Sequence, residues 1–248
     1  MDASVSSLWR GEFGRGRVLS LVLSSVEGLP KGADLPRRNN MEVELIAVTK
    51  YLRGNGTPEE LLEHAGRVCY RSEKRGEAGS FLQARIREGH ESIIEHASLT
   101  YEISGISRVC SHQLVRHRIA SYSQESQRYV DLSDPELVVP PSIAGSLTAM
   151  EIWDDLTGRM REAYRDLREL AVRKEDTRFL LPNATATRIV VTMNFRELRH
   201  FFRIRCDRAA QWEIRALAKE MLKLAYQVAP SVFQDLYTEF IGEDTADA

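Results

Sequence analysis

The chain has 248 residues, 43% apolar and 28% charged, with a formal net charge of −2. That length and balance suit a globular fold of one domain, and the near-neutral charge speaks against a general nucleic-acid binder, whose footprint is basic. No apolar run approaches the ~20 residues that cross a bilayer.

Cys69, Cys110 and Cys206 show neither disulfide nor metal-ligand spacing. They read as small buried hydrophobes in a reducing cytoplasm. Residues 1–40 are rich in Gly, Ser and Arg and end in LPKGADLPRRNN, which reads as a disordered extension. Within it, VLSLVLSSV at 18–26 lacks a small-residue cleavage site, so secretion is rejected and a cytoplasmic location is expected. A single folded domain is expected over 41–240, with 241–248 as an acidic tail.

EVELIAV, opened by Met41, alternates as a strand does. Thr57-Pro58-Glu59-Glu60 predicts a helix start, with Thr57 as N-cap and Glu60 closing a capping box. A second helix is expected from about Ser80 to Glu88, stopped by Gly89. Leu99, Tyr101 and Ile103 predict a strand. Ile106, Val109, Cys110 and Leu114 then take helical spacing and leave Arg116 near a helix end. Ile152, Leu156, Ala163, Leu167 and Leu170 mark a long amphipathic helix. RIVVTM at 188–193 is a β-branched strand, and Asn194 caps the next helix with Glu197 at its third position. The last long helix carries Ala210, Ile214, Leu217, Met221, Leu224 and Val228 and stops at Pro230. This order predicts an α+β fold, several helices around a modest sheet.

Of 34 basic residues 28 are arginine, and they cluster at 116–128 and 196–208. The first cluster, RHRIASYSQESQRY at 116–129, has no apolar period of helix or strand and reads as a ligand loop rather than a solvated connection. Arg116, Arg118 and Arg128 offer planar charged forks for phosphate. Ser121, Ser123 and Ser126 add hydroxyls, and Gln124 and Glu125 can read a base edge. Ser126 lacks a positioned base, so it reads as a phosphate-binding hydroxyl and not a nucleophile.

His90, Glu91, Glu95 and His96 resemble a metal motif, but histidines six apart lie about 240° around an α-helix, so no metal is expected. In the second cluster Arg196, Arg199, His200 and Arg203 share a broad helical face, on which Arg199 and Arg203 read as solvated. No Gly-x-Gly-x-x-Gly joins a strand to a helix, so any dinucleotide pyrophosphate must be held by side chains.

Arg116-His117-Arg118, seven residues and Ser126, followed by Arg128 and Tyr129, resembles the signature of the flavin-dependent thymidylate synthases. The resemblance extends to GHESIIEHASL at 89–99 and LPNATATRIVVTMNFRELRHF at 181–201, and so covers most of 41–240. It implies reductive methylation of dUMP to dTMP with methylenetetrahydrofolate, NADPH and FAD, in a homotetramer with shared sites. It assigns dUMP to Gln113, Arg116, Gln124, Glu125, Ser126, Arg128, Arg178 and Arg205, the last activating the pyrimidine. It assigns FAD to His90, Ser92, Glu95, Arg116, His117, Arg118, Gln124, Asn194, Arg196 and His200. The rival class is a non-catalytic nucleotide- or RNA-binding module built on the arginine loop, with sequence-tolerant, salt-sensitive binding.

Overall fold

A computed structural model describes residues 19–22, 41–73 and 77–242. Expectations for the rest of 1–40 and for 243–248 lie outside the described residues. The chain runs through β1 (Leu19–Val22), β2 (Glu42–Val48), α1 (Pro58–Tyr70), α2 (Ala78–Arg87) and a 3₁₀ turn at Glu91–His96. Then come β3 (Ser98–Ser107), α3 (Arg108–Leu114), β4 (Ala120–Gln124), the short α4 (Pro141–Ala144) and the long α5 (Leu147–Glu169). The short α6 (Lys174–Thr177) leads into a second 3₁₀ turn at Arg178–Leu180. Last are β5 (Ala186–Asn194), α7 (Phe195–Arg205), α8 (Trp212–Val228) and α9 (Pro230–Phe240).

The strands form one sheet in the order β1-β2-β3-β5-β4, each neighbour antiparallel. Alternation on β5, and on β3 as far as Ile103, gives it one apolar face. Leu99 pairs with Met193, Tyr101 with Val191 and Ile103 with Ile189, and all six are buried in the main core with α8. The Tyr101 hydroxyl, fully buried, donates to the Met221 carbonyl of α8 at 3.2 Å. The other face is polar, with a Thr100–Thr192 hydroxyl pair at 2.9 Å and Arg188 beside Glu102. Gly105, at φ 70, sits in the bulge between Ile103 and Ile106 and resets the register. Ser107 thereby reaches the start of α3 as its cap, accepting from the Cys110 amide at 3.0 Å. The Glu213 carboxylate of α8 holds Ser107 from below, accepting from its amide at 2.6 Å and its hydroxyl at 2.5 Å.

Local signals translate directly at several ends. Thr57 and Glu60 form the reciprocal capping box, and Gly89, at φ 78, follows the last turn of α2. Asn194 caps α7 by accepting from the Glu197 amide at 2.9 Å.

Other expectations are corrected. Residues 19–22, inside the stretch read as disordered, pair with β2, because backbone pairing at a sheet edge needs no special composition. Residues 120–124, inside the loop, form β4. There the inward positions are Ala120, Tyr122 and Gln124, an alternation too polar to register as apolar periodicity. Pro230 ends α8 but also opens α9, a helix the sequence reading did not separate. Cys69 is exposed on α1, whereas Cys110 and Cys206 are buried. The stripe of α5 faces outward: Ile152 is 65% and Leu156 62% exposed, and this helix buries Thr157 and Tyr164 instead.

Arg199 is 0% exposed, not solvated. Its guanidinium takes both Asp235 oxygens of α9, at 2.7 and 2.6 Å, and also donates to the Val232 carbonyl. Burial pushes the Asp235 carboxyl up, but the Arg199 bonds outweigh it and hold it below its ordinary 3.8. A depressed carboxylate contributes stability above about pH 4 that is lost as pH falls through its folded pKa. Asp235→Ala is therefore expected to cost about 2 kcal/mol at neutral pH, the buried-pair figure discounted for the exposure of the carboxylate. Denaturant melts should show the gap to wild type narrowing as pH falls below about 4; a pH-independent gap would refute the ion-pair origin.

Candidate active site

The run 116–129 is built in three pieces. Its first, Arg116–Arg118, is the turn after α3. His117 points inward and is 6% exposed, while Arg116 and Arg118 point outward. Neither outward guanidinium has a hydrogen bond or ion pair among the described residues. Tyr122 of β4 anchors the turn, its hydroxyl lying 2.9 Å from the Leu114 carbonyl and 2.8 Å from that of His117. Burial pushes the phenol well up, so it stays a donor.

Beneath His117 lies one stripe of α7: Glu197, Phe201 and Arg205, four residues apart in turn. Arg205 Nε donates to His117 Nε2 at 3.1 Å, and Glu197 Oε1 lies 3.4 Å from His117 Nδ1. The ring meets Phe201 edge to face at 4.9 Å. Burial, then the charges of Arg205 and His200, push the imidazole down to about 4, so it is neutral at pH 7. Both nitrogens of His117 thus face protein groups. The Arg205 Nη2 also approaches the Gln113 carbonyl at 3.5 Å.

At the far end of β4, Gln124 Nε2 donates to Ser111 and Thr187 hydroxyls at 2.9 and 3.3 Å. Ser126 Oγ accepts from the Arg128 amide at 3.3 Å. Arg128 pairs with Glu175 at 3.3 Å and leans on the Tyr129 ring. Arg178 Nε donates to the Glu175 carbonyl at 3.0 Å. A cavity of about 320 Å³ opens here, lined by Arg128, Tyr129, Arg168, Arg173 and Lys174 among others. Sequence reasoning missed Arg108, whose Nη2 donates to the Glu125 carbonyl at 2.8 Å. Burial lowers its pKa, as does nearby Arg178, with Glu125 opposing. The signal was present: a cation at a helix N-terminus opposes the dipole and needs another reason to be there.

The second arginine cluster meets the 3₁₀ turn. His90, Ser92 and His96 are exposed, and Glu95 pairs with Arg196 at 2.5 Å. Glu91 gathers three guanidiniums, with Arg203 at 3.1 Å, Arg199 at 3.6 Å and Arg196 at 4.0 Å. His200 is exposed, with its ring 5.9 Å from His117. Asn194 uses its side-chain oxygen in the cap and keeps its NH2. The turn is 3₁₀, so the α-helical spacing used to separate the two histidines does not apply to it. Among the described residues no group of three or more His, Cys, Asp or Glu could hold a metal.

Ala120 pairs with Met193 and Gln124 with Ile189. The strand therefore separates two groups of the expected site residues by about 14 Å. One end carries Arg116, Arg118, Asn194, Arg196, His200 and Arg205; the other carries Gln124, Glu125, Ser126, Arg128 and Arg178.

Residues 47–231 match the family model described as thymidylate synthase complementing protein. The chain is 49% identical over 189 residues to a flavin-dependent thymidylate synthase of Geobacter sulfurreducens, covering 72% of this chain and 82% of that protein. One from Nitratidesulfovibrio vulgaris is 43% identical over 218 residues, 79% of this chain and 86% of its own. One from Mycobacterium avium is 37% identical over 233 residues, 83% and 93% respectively.

Because the Arg116 and Arg118 guanidiniums have no hydrogen bond or ion pair among the described residues, replacing both by Gln should change stability by less than ~0.5 kcal/mol. Binding of a phosphate-bearing ligand should weaken by roughly tenfold or more. Thermal melts and ligand titration check this, and a large drop in melting temperature would show a structural role.

Proposed function

This chain belongs to the thymidylate synthase complementing protein family, the flavin-dependent thymidylate synthases, and from that premise we propose that it converts dUMP to dTMP by reductive methylation. Methylenetetrahydrofolate donates the carbon and NADPH the reducing equivalents, with FAD as the resident flavin and 41–240 as the catalytic domain. The observation that carries this reading is the pair of guanidiniums, Arg116 and Arg118, without partners among the described residues, beside Arg205 within the matched segment.

The donor set fits a flavin dinucleotide. Arg116, Arg118 and Arg196 offer charged forks for a diphosphate without a glycine-rich loop. His90, Ser92, Glu95, His200 and the Asn194 NH2 add exposed polar groups around them, and Gln124 and the His117 turn adjoin. When bound, the flavin supplies the reducing equivalents. Gln113, Ser126, Arg128 and Arg178 hold the nucleotide, Arg116 contributes from the turn, and Gln124 and Glu125 face its base and sugar. Arg205, the catalytic residue, sets a planar cation against the pyrimidine edge. There it stabilises negative charge as the ring is activated.

No cysteine is placed to attack the ring. Cys110 and Cys206 are buried, and burial raises the Cys110 thiol well above its ordinary value, which supports a route without a thiolate.

The assembly is a homotetramer with shared sites. Two features favour it: the outward apolar stripe of α5, with Leu147, Ile152 and Leu156 exposed, and the separation of the two ligand groups along β4. A second copy would cover the first and close the second.

Purified protein should be yellow and should form dTMP only with dUMP, folate and reductant together; colourless, inactive protein would overturn the reading. Arg205→Lys should bind dUMP but lose about 3 kcal/mol of transition-state stabilisation, since an ammonium lacks the planar fork. Steady-state turnover checks this, near-wild-type rates being the adverse result. Mixing inactive Arg205→Ala and Arg128→Ala proteins should restore part of the activity through hybrid sites. No recovery after verified subunit exchange would put both arginines on one chain.

A further inference from the structure

Glu197 is 7% exposed, a carboxylate nearly cut off from water, and burial raises its pKa. Its place in the first turn of α7 suits the helix dipole, but an exposed carboxylate there would serve equally. Its side chain has no hydrogen-bond donor nearer than His117 Nδ1, at 3.4 Å, among the described residues. The opposite nitrogen of that ring settles the proton. An arginine Nε–H can only donate, so His117 Nε2, 3.1 Å from Arg205 Nε, must present a lone pair. A neutral imidazole carries one N–H, which therefore sits on Nδ1 and faces Glu197. Phe201 packs edge to face against the ring, and Tyr122 holds the His117 carbonyl.

We propose that Glu197 is a positioning residue for this reaction: it fixes the tautomer and angle of His117, and His117 in turn aims the Arg205 guanidinium. This rests on the reading of Arg205 as the pyrimidine-facing group. Without the carboxylate, the ring gains access to its other tautomer, whose Nε2–H points at the Arg205 Nε–H and pushes the guanidinium off line.

Glu197→Leu removes the acceptor at similar volume, and Glu197→Gln retains an oxygen that can accept. In the Leu variant kcat should fall roughly 10- to 100-fold, as when an orienting partner is lost. The KM for dUMP and the flavin content should hold, and the Gln variant should recover most of the rate. In an Arg205→Lys background, whose residual turnover can still be read, Glu197→Leu should cost nothing further, because its effect runs through the Arg205 guanidinium. NMR of the 15N-histidine-labelled protein should show an unprotonated Nε2 at His117 in wild type and a tautomer mixture in the Leu variant. If Leu prevents folding, Glu197→Ala is measured in the same way.

An unchanged tautomer, or an equal cost in both backgrounds, overturns the positioning role alone. Normal turnover by Arg205→Ala overturns both that role and the reading of Arg205.

Discussion

A guanidinium without solvent contact must find its counter-charge inside the protein, or the fold that buries it does not form. Arg199 meets this constraint through Asp235 of α9 and Glu91 of the 3₁₀ turn, so one side chain ties two separated segments to α7. The rest of the site is referred to that helix. Its Arg199 side gathers Glu91, Arg196 and Arg203, while another stripe carries Glu197, Phe201 and Arg205 against His117. Because α7 begins directly after β5, the central sheet sets its height and the buried ion pair resists its rotation. The arginine that faces solvent in a hydropathy plot is thus the one that fixes the others.

Arg205 is held differently from the guanidiniums around it. Arg196 and Arg203 meet carboxylates, which lower the net positive charge they present. Arg205 meets a neutral imidazole, which gives its Nε–H an acceptor without cancelling its charge. In the role proposed for Arg205, stabilising developing negative charge, the cation keeps its field that way. The same neutral state of His117 follows from burial and from Arg205 itself, so the two residues set each other's condition.

What could be read from residue order alone divides by the range of the physics. Caps and stops are decided within a few residues, so Thr57 with Glu60, Gly89 and Asn194 were legible, as was the alternation of β3 and β5. The arginine-rich run was legible as chemistry but not as structure. The pairing that turns 120–124 into a strand is with β5, more than sixty residues on, and leaves no local apolar period. Arg199 and Glu197 illustrate the harder case: their sequence neighbourhood looks solvated, and only α9 and the 116–118 turn bury them. The α5 stripe was legible as one side of an amphipathic helix but not in its direction, because periodicity reports an apolar face and not what covers it. Ligand assignments came from the family resemblance; spacing alone named no ligand.

The dependence of Arg199 on α9 also bears on how the chain comes to be made. Synthesis runs from the N-terminus, so Arg199 is complete 36 residues before its partner Asp235 exists. The Glu59 carboxylate of α1 likewise waits for Ser231, whose amide it accepts at 2.8 Å across 172 residues of chain. Until α9 leaves the ribosome, a nascent chain that closed its core would enclose a cation matched by Glu91 alone. The sheet and its helices can gather early, but the final lock is applied from the last helix, after most of the polypeptide has been translated.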